Sequence, residues 1–384
     1  MDAIYLDHAA TTPVREEVRA AMEPYLREHF GNPSSTHRWG RRAAAALEEA
    51  RTVVAEALGA RRPEVVFVRG GTESDNLAVL GRVAADGAAG RTPHVVTTAI
   101  EHRAVLDAAR WAEREGARLT VLPVDAGGAV DPDALDAALA GGASVVSVMW
   151  VNNELGTVQP IPSLAARARA HGVPFHTDAV QAVGKLPVRV DDTPVDLLSL
   201  TGHKLQGPKG TGALYLRPGV TVVPRHHGGG QEGGMRAGTQ DVAGAVGLAE
   251  AVRLAMAERE TFARTRRALL DTLEARLRAG IPGLVIHGAA GERAPHILNV
   301  GIPGVDPELL PPALDLAGLA VSSGSACQSG SREPSHVLAA LLGPDAPAAA
   351  VVRFSLGRGT TGAEVERAAA VTVEAVARLR AGAP

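Results

Sequence analysis

The sequence predicts an α/β protein: a large unit built on a mostly parallel, helix-flanked seven-stranded sheet, and a smaller α+β unit formed mainly by the end of the chain. Three observations carry this. Seven short β-rich runs alternate with helical patterns between residues 65 and 216, the order expected of strands joined by crossover helices. The glycine-containing and polar segments that bear reactive side chains follow those runs, where open α/β sheets bind their ligands. Beyond about Ala279 the chain changes to short pieces punctuated by Pro and Gly. A chain of 384 residues with 46% apolar composition has material for one large core and a second, smaller one.

Taken in order, residues 1–14, containing Leu6-Asp7-His8-Ala9-Ala10-Thr11-Thr12-Pro13, read as an extended arm. A helical pattern runs to Phe30, a Gly31-Asn32-Pro33-Ser34-Ser35 turn breaks it, and an Ala- and Arg-rich helix continues to about Leu58. Strands are expected at Val65–Arg69, His94–Thr98, Arg118–Leu122, Ala143–Trp150, Pro174–Asp178, Leu197–Leu200 and Thr211–Leu216. Each is a short run of branched and apolar residues bounded by turn formers. The Gly-rich His226–Gly234 segment precedes two helical stretches reaching about Ala279. The final helix begins at Thr361-Gly362-Ala363-Glu364, which has capping-box spacing. These boundaries give a large unit of residues 15–260 and a small one of residues 1–14 and 261–384, the latter containing a Ser- and Gly-rich loop at about 321–335.

Composition narrows the function. A formal charge of −3 leaves no basic excess and 3% aromatic residues leave little for base stacking, so direct nucleic-acid binding is not expected. Met1-Asp2-Ala3-Ile4 lacks the charged and apolar regions of a signal peptide, and no apolar run reaches membrane-spanning length. The expectation is a cytoplasmic protein without membrane contact. Cys327 is the chain's one cysteine, which excludes an internal disulfide and any multi-cysteine metal site.

Lysine usage points to chemistry. Lys185, Lys204 and Lys209 stand against 36 arginines, so a lysine kept here is a candidate for work that needs an amine. Arginine keeps its proton, whereas a desolvated lysine can lose it and can form a Schiff base with an aldehyde. Lys204 follows the Leu197–Leu200 run in Thr201-Gly202-His203-Lys204, at the ligand-binding end of a strand. Gly70-Gly71-Thr72-Glu73-Ser74-Asp75-Asn76 joins a strand to a helix and suits either an anion cradle or a simple capped turn. Asp178 ends another strand, with Gln181 three residues on; its carboxylate suits holding a pyridine nitrogen protonated or capping the next helix. His102 follows a strand and suits ring stacking, proton transfer or a structural hydrogen bond.

Other segments divide in the same way. His226-His227-Gly228-Gly229-Gly230-Gln231-Glu232-Gly233 contains a formal G-x-G-x-x-G, but no amphipathic helix follows it, so it is not a dinucleotide motif. His226 and His227 lack a third ligand at metal-site spacing, and no metal is expected. Cys327 lies in Ser322-Ser323-Gly324-Ser325-Ala326-Cys327-Gln328-Ser329-Gly330-Ser331, a stretch with little apolar anchoring that favours an exposed, nucleophilic thiol. Arg353 sits within the β run Val351-Val352-Arg353-Phe354-Ser355 and needs an anionic partner, either a substrate carboxylate or an internal one.

Together these residues resemble the cysteine desulfurases, the NifS/IscS-type branch of the class V pyridoxal-phosphate-dependent aminotransferase family. The likeness runs through Tyr5-Leu6-Asp7, Ala10-Thr11-Thr12-Pro13, Phe30-Gly31-Asn32-Pro33, Thr72-Glu73-Ser74-Asp75-Asn76, Glu101-His102, Val151-Asn152-Asn153-Glu154-Leu155-Gly156, Asp178 with Gln181, Thr201-Gly202-His203-Lys204, Met235-Arg236 with Gly238-Thr239, Ser322 to Cys327, and Arg353-Phe354-Ser355. The resemblance implies the type I fold of pyridoxal-phosphate-dependent transferases and pyridoxal 5'-phosphate as cofactor. It implies Lys204 as the Schiff-base lysine, Asp178 on the pyridine nitrogen, Gln181 on the phenolic oxygen and His102 stacked on the ring. Gly71, Thr72, Thr201 and His203 would hold the phosphate, with Thr239 from the second subunit of a homodimer. Asn153, in the cofactor site, and Arg353 would orient L-cysteine. Cys327 would take the sulfur as a persulfide, leaving alanine, and pass it to an acceptor protein.

Three departures accompany the likeness. Thr201 stands where the family commonly has Ser, and Gln231-Glu232-Gly233-Gly234 lacks an arginine often found there. The chain stops at Arg380-Ala381-Gly382-Ala383-Pro384, without the longer tail by which housekeeping members engage the iron–sulfur scaffold. That ending raises tRNA thiolation or DNA phosphorothioation as the sulfur's destination beside iron–sulfur assembly. A lyase or aminotransferase on the same scaffold, with Cys327 dispensable, is the competing reading.

Overall fold

The computed structural model describes residues 3–323, 335–343 and 349–382. Its strands, in chain order, are β1 (Ile4–Tyr5), β2 (Val65–Val68), β3 (His94–Thr98), β4 (Arg118–Leu122), β5 (Val145–Ser147), β6 (Phe175–Asp178), β7 (Leu197–Thr201), β8 (Gly212–Leu216), β9 (Val285–Ile286), β10 (Ile297–Ile302), β11 (Leu319–Ala320) and β12 (Ala350–Ser355). The helices are α1 (Glu16–Arg27), α2 (Arg38–Leu58), α3 (Gly71–Ala88), α4 (Arg103–Arg114), α5 (Pro132–Leu139), α6 (Ile161–Ala170), α7 (Val242–Gly280), α8 (Leu310–Leu316), α9 (His336–Leu342) and α10 (Gly362–Arg380).

Local chemistry sets the helix ends. The His37 side chain accepts from Gly40 N–H at the start of α2, and Gly59 closes that helix at φ 72°, a left-handed conformation that favours glycine. At α10 the expected capping box forms, Thr361 accepting from Glu364 N–H while the Glu364 carboxylate accepts from Thr361 N–H.

Seven strands build the large sheet in the order β2-β8-β7-β6-β5-β3-β4. The ladders from β4 through β3, β5 and β6 to β7 are parallel, and β8 lies antiparallel between β7 and β2. The fifth strand is shorter than expected, because regular pairing stops at Ser147. The chain beyond it still bonds β6, through Val148 N–H to His176 O and Trp150 N–H to Asp178 O. Strand order reverses at β3, which pairs with β4 on one side and β5 on the other. Such a reversal opens a crevice at the carboxyl ends of the strands.

One expectation fails. The two helical stretches before Ala279 are a single helix, α7, of 39 residues. Its polar middle, Glu258-Arg259-Glu260, reads as a break in the sequence, but nothing there removes a backbone hydrogen bond. The helix changes partners instead. Leu248 and Val252 belong to the core of the large sheet, whereas Leu270, Leu273 and Leu277 belong to a second core with β10, β12 and α10. Each buried Leu contributes about 1.5–3 kcal/mol, so α7 ties the two cores together.

β1 pairs in parallel with β11, and Asp7 bridges to Ser355 of β12. From there the arm crosses to the large sheet, where Thr12 N–H bonds His203 O. Among the described residues, no helix is long and apolar enough to cross a membrane.

Candidate active site

Each parallel strand around the reversal ends in a functional side chain: His102 after β3, Asn153 after β5, Asp178 at the end of β6 and Lys204 just past β7. Together with the start of α3 they line a cavity of about 320 Å³ that also includes Gly71, Thr72, Gln181, Thr201, His203 and Arg353. Thr239 does not line this cavity; it lies exposed in the loop before α7. Cys327 lies outside the described residues.

Lys204 points at the arm, its Nζ donating to Ala9 O and Ala10 O, both at 2.6 Å. The Ala9 carbonyl also accepts from Gln181 Nε2 at 2.9 Å. His102 caps α4, its Nδ1 accepting from Ala104 N–H at 3.1 Å, so the proton of the neutral ring sits on Nε2. Asp178 Oδ1 accepts from Val180 N–H at 2.9 Å. Thr201 Oγ1 donates to Thr211 O at 2.8 Å. The structural role left open for His102 is therefore realised; Asp178 caps no helix, because turns and not a helix follow β6, and its bond to Val180 N–H belongs to that turn. Both residues line the cavity.

Arg353 also has an internal partner. Its Nη2 donates to Asp7 Oδ1 at 2.6 Å and its Nη1 to Asn153 O at 2.9 Å, while buried Nε has no hydrogen-bond partner among the described residues.

Burial dominates the electrostatics. It raises the Asp178 carboxyl above the usual carboxylate range, opposed by His102, the Val180 N–H and Lys204. Asp75, directly behind it, is raised by burial and by the Asp178 charge. Burial lifts Glu101 to about 8 against hydrogen bonds from Met149 N–H and the Thr98 hydroxyl. It takes the His203 ring down to about 4, with Lys204 adding to the effect.

Several cavity residues carried no assignment from sequence. Glu154 is buried and lifted by burial to about 7; its Oε2 accepts from Ser335 Oγ at 2.5 Å. Ser335 Oγ in turn accepts from Val337 and Leu338 N–H at the start of α9. Glu154 stands within the Asn152-Asn153-Glu154 motif, so its signal was present, but its partner is 181 residues away. The clamp of backbone carbonyls on Lys204 leaves no trace in residue types at all.

The donor set fits pyridoxal phosphate. Lys204 supplies an amine for the aldehyde. Asp178, raised by burial, is a carboxyl that gains from a facing cation such as a protonated ring nitrogen. The first N–H groups of α3, with Thr72, suit a phosphate at the positive end of an 18-residue helix.

Comparison with known proteins agrees with this geometry. The family model described as aminotransferase class-V matches residues 4–368. A curated cysteine desulfurase IscS from Dictyoglomus turgidum is 44% identical over 381 residues, covering 99% of this chain and 96% of its own. A solved NifS-like protein superposes with a TM-score of 0.91 at 33% identity, covering 98% of this chain and 100% of that one. A structure described as SspA in complex with cysteine gives a TM-score of 0.80 at 35% identity, over 92% of this chain and 98% of that one.

Proposed function

The chain belongs to the class-V aminotransferase family, and from that premise we propose that it is a pyridoxal-phosphate-dependent cysteine desulfurase. It converts L-cysteine to L-alanine and leaves the sulfur on Cys327. The observation that carries this is the meeting of Lys204, Asp178, the α3 N-terminus and Arg353 in one cavity. The cysteine desulfurase names of relatives covering nearly the whole chain support it.

When bound, the cofactor supplies an electron sink that makes the substrate's α-proton removable. Lys204 is the base for that proton, its amine positioned by the Ala9 and Ala10 carbonyls. Asp178 would keep the ring nitrogen protonated, Gln181 would serve the phenolic oxygen and His102 would cover the ring. Gly71, Thr72, Thr201 and His203 hold the phosphate. Arg353 and Asn153 orient the substrate carboxylate. The Cys327 thiolate attacks the substrate sulfur: a sulfur–sulfur bond forms, the carbon–sulfur bond breaks, and the carbon takes a proton to become alanine.

Thr239, exposed and away from its own cavity, is available to complete the phosphate site of a second subunit in a homodimer. The persulfide passes to an acceptor protein serving iron–sulfur assembly, tRNA thiolation or DNA phosphorothioation. A reducing, cytoplasmic setting suits a free thiol of this kind.

The test uses purified protein with pyridoxal phosphate and L-cysteine, comparing wild type, Lys204→Ala and Cys327→Ser. Loss of alanine formation in both variants, with loss of the cofactor's visible absorption only in Lys204→Ala, is the expected result. Wild-type turnover by Cys327→Ser overturns the assignment and leaves a lyase.

A further inference from the structure

Of the two lysines that the proposed reaction does not use, Lys209 is exposed and Lys185 is buried. Lys185 is 7% exposed, and its Nζ has no hydrogen-bond partner among the described residues. It lines a second cavity, of about 50 Å³, which Lys204 also lines and Asp178 does not. Lys204 thus lines both cavities, and its charge acts on the Lys185 amine. In a chain that carries arginine at 36 of 39 basic positions, two lysines here are a pairing that arginine could not replace if either must lose a proton.

Among the described residues lining this cavity, Lys185 has no free counter-ion. His8 and Arg15 face this cavity from the arm and α1, Glu258 from α7, and His296 and Arg358 from the segments flanking β10 and β12. Glu258, the carboxylate among them, is committed to Arg15 at 3.0 Å and Arg358 at 2.7 Å. Burial lowers both histidines and so keeps them neutral near pH 7. Lys204 also faces the Asp178 carboxyl in the first cavity, so the charge left without a counter-ion among the residues lining the second cavity is that of Lys185.

We propose that Lys185 is a positioning residue that acts through Lys204: its ammonium, facing the same cavity, disfavours a second positive charge and so holds the Lys204 amine in the proton-free form that serves as base. This rests on the desulfurase reading above. The coupling is reciprocal, because each charge raises the cost of the other by the same amount. Burial, aided by Lys204, lowers the Lys185 amine to about 7. The bias on Lys204 is therefore strongest below neutrality and fades as Lys185 discharges above it.

Three lysines make the test direct. Full-length protein labelled with carbon-13 and nitrogen-15 in lysine, observed through its ε-carbon and ζ-nitrogen signals before and after adding pyridoxal phosphate, gives one titration per lysine. In the cofactor-free protein, Lys185→Met is expected to raise the Lys204 midpoint by about one pH unit, and Lys204→Ala to raise the Lys185 midpoint similarly. Lys185→Arg, permanently charged, should keep the Lys204 midpoint low. Unmoved midpoints overturn the proposal; should Lys185→Met fail to fold, the Lys204→Ala arm decides alone. The desulfurase reading fails separately, through absence of alanine from wild type, and leaves the lysine coupling readable.

Discussion

Asp7 and Arg353 stand 346 positions apart in the chain and 2.6 Å apart in the fold. The pair fastens the N-terminal arm to β12 at the edge of the cavity, and the same arm supplies the carbonyls that receive Lys204. Arg353 is 2% exposed, so removing its partner leaves a buried charge uncompensated. Asp7→Asn is expected to lower the thermal midpoint and to raise KM for L-cysteine roughly tenfold, with a smaller fall in kcat, because the guanidinium loses its fixed orientation. Melting curves and steady-state alanine formation check both effects. An unchanged KM would separate Arg353 from substrate binding.

A second buried pair anchors the loop that carries Thr239. Arg51 donates to Glu232 from both Nη atoms, at 2.6 and 2.9 Å, and Glu232 also accepts from Phe67 N–H at 2.8 Å. Glu232 sits in the segment that departs from the family by lacking an arginine, and the structure shows what it does there. Breaking such a pair from one side costs about 3–5 kcal/mol. Glu232→Ala should therefore lose stability on that scale in denaturant titrations, and Arg51→Ala should lose a comparable amount. A double variant should cost less than the sum, since both changes remove one interaction.

Gly212 is a steric prediction. A Cβ there would meet Leu200 O at 2.7 Å and Gly70 Cα at 2.8 Å, both backbone atoms. β8 thereby touches the turn that starts α3, and any side chain pushes that turn away from the cavity. Gly212→Ala is expected to weaken pyridoxal phosphate binding by about tenfold, equivalent to ~1.4 kcal/mol, measured by absorption titration of cofactor-free protein. Unaltered affinity would show that the turn does not hold the phosphate.

Much of this was legible in the sequence because periodicity and turn chemistry act locally. All seven strands of the large sheet follow from short apolar runs, and His102, Asn153, Asp178 and Lys204 stand at or just after the ends of four of them. α7 was misread because a helix that changes partners midway carries two apolar faces, and a polar crossing between them looks like a loop. The internal partners of Arg353 and Glu154 were invisible for another reason. Asp7 and Ser335 reach them only after the arm and the end of the chain have packed, and no local pattern encodes a contact across so much sequence.

Glu154 makes the site's stability depend on pH in a direction that can be worked out. Burial raises its folded value to about 7, against roughly 4.3 for an unperturbed glutamic acid. Between those values the folded protein holds a proton that the unfolded chain has released. Stability from this group therefore falls as pH rises through that window. Glu154→Gln cannot ionise but keeps an oxygen to accept from Ser335 Oγ. Relative to wild type, it should gain about 2–3 kcal/mol of stability between pH 5 and pH 8, seen as a rise in the difference between the two thermal midpoints. Using the difference between the two proteins cancels His176 and His203, which burial lowers to about 3 and about 4 and whose contributions run the other way. Parallel midpoint curves for the two proteins would mean that Glu154 is ionised throughout, and that the Ser335 contact is an ordinary carboxylate hydrogen bond.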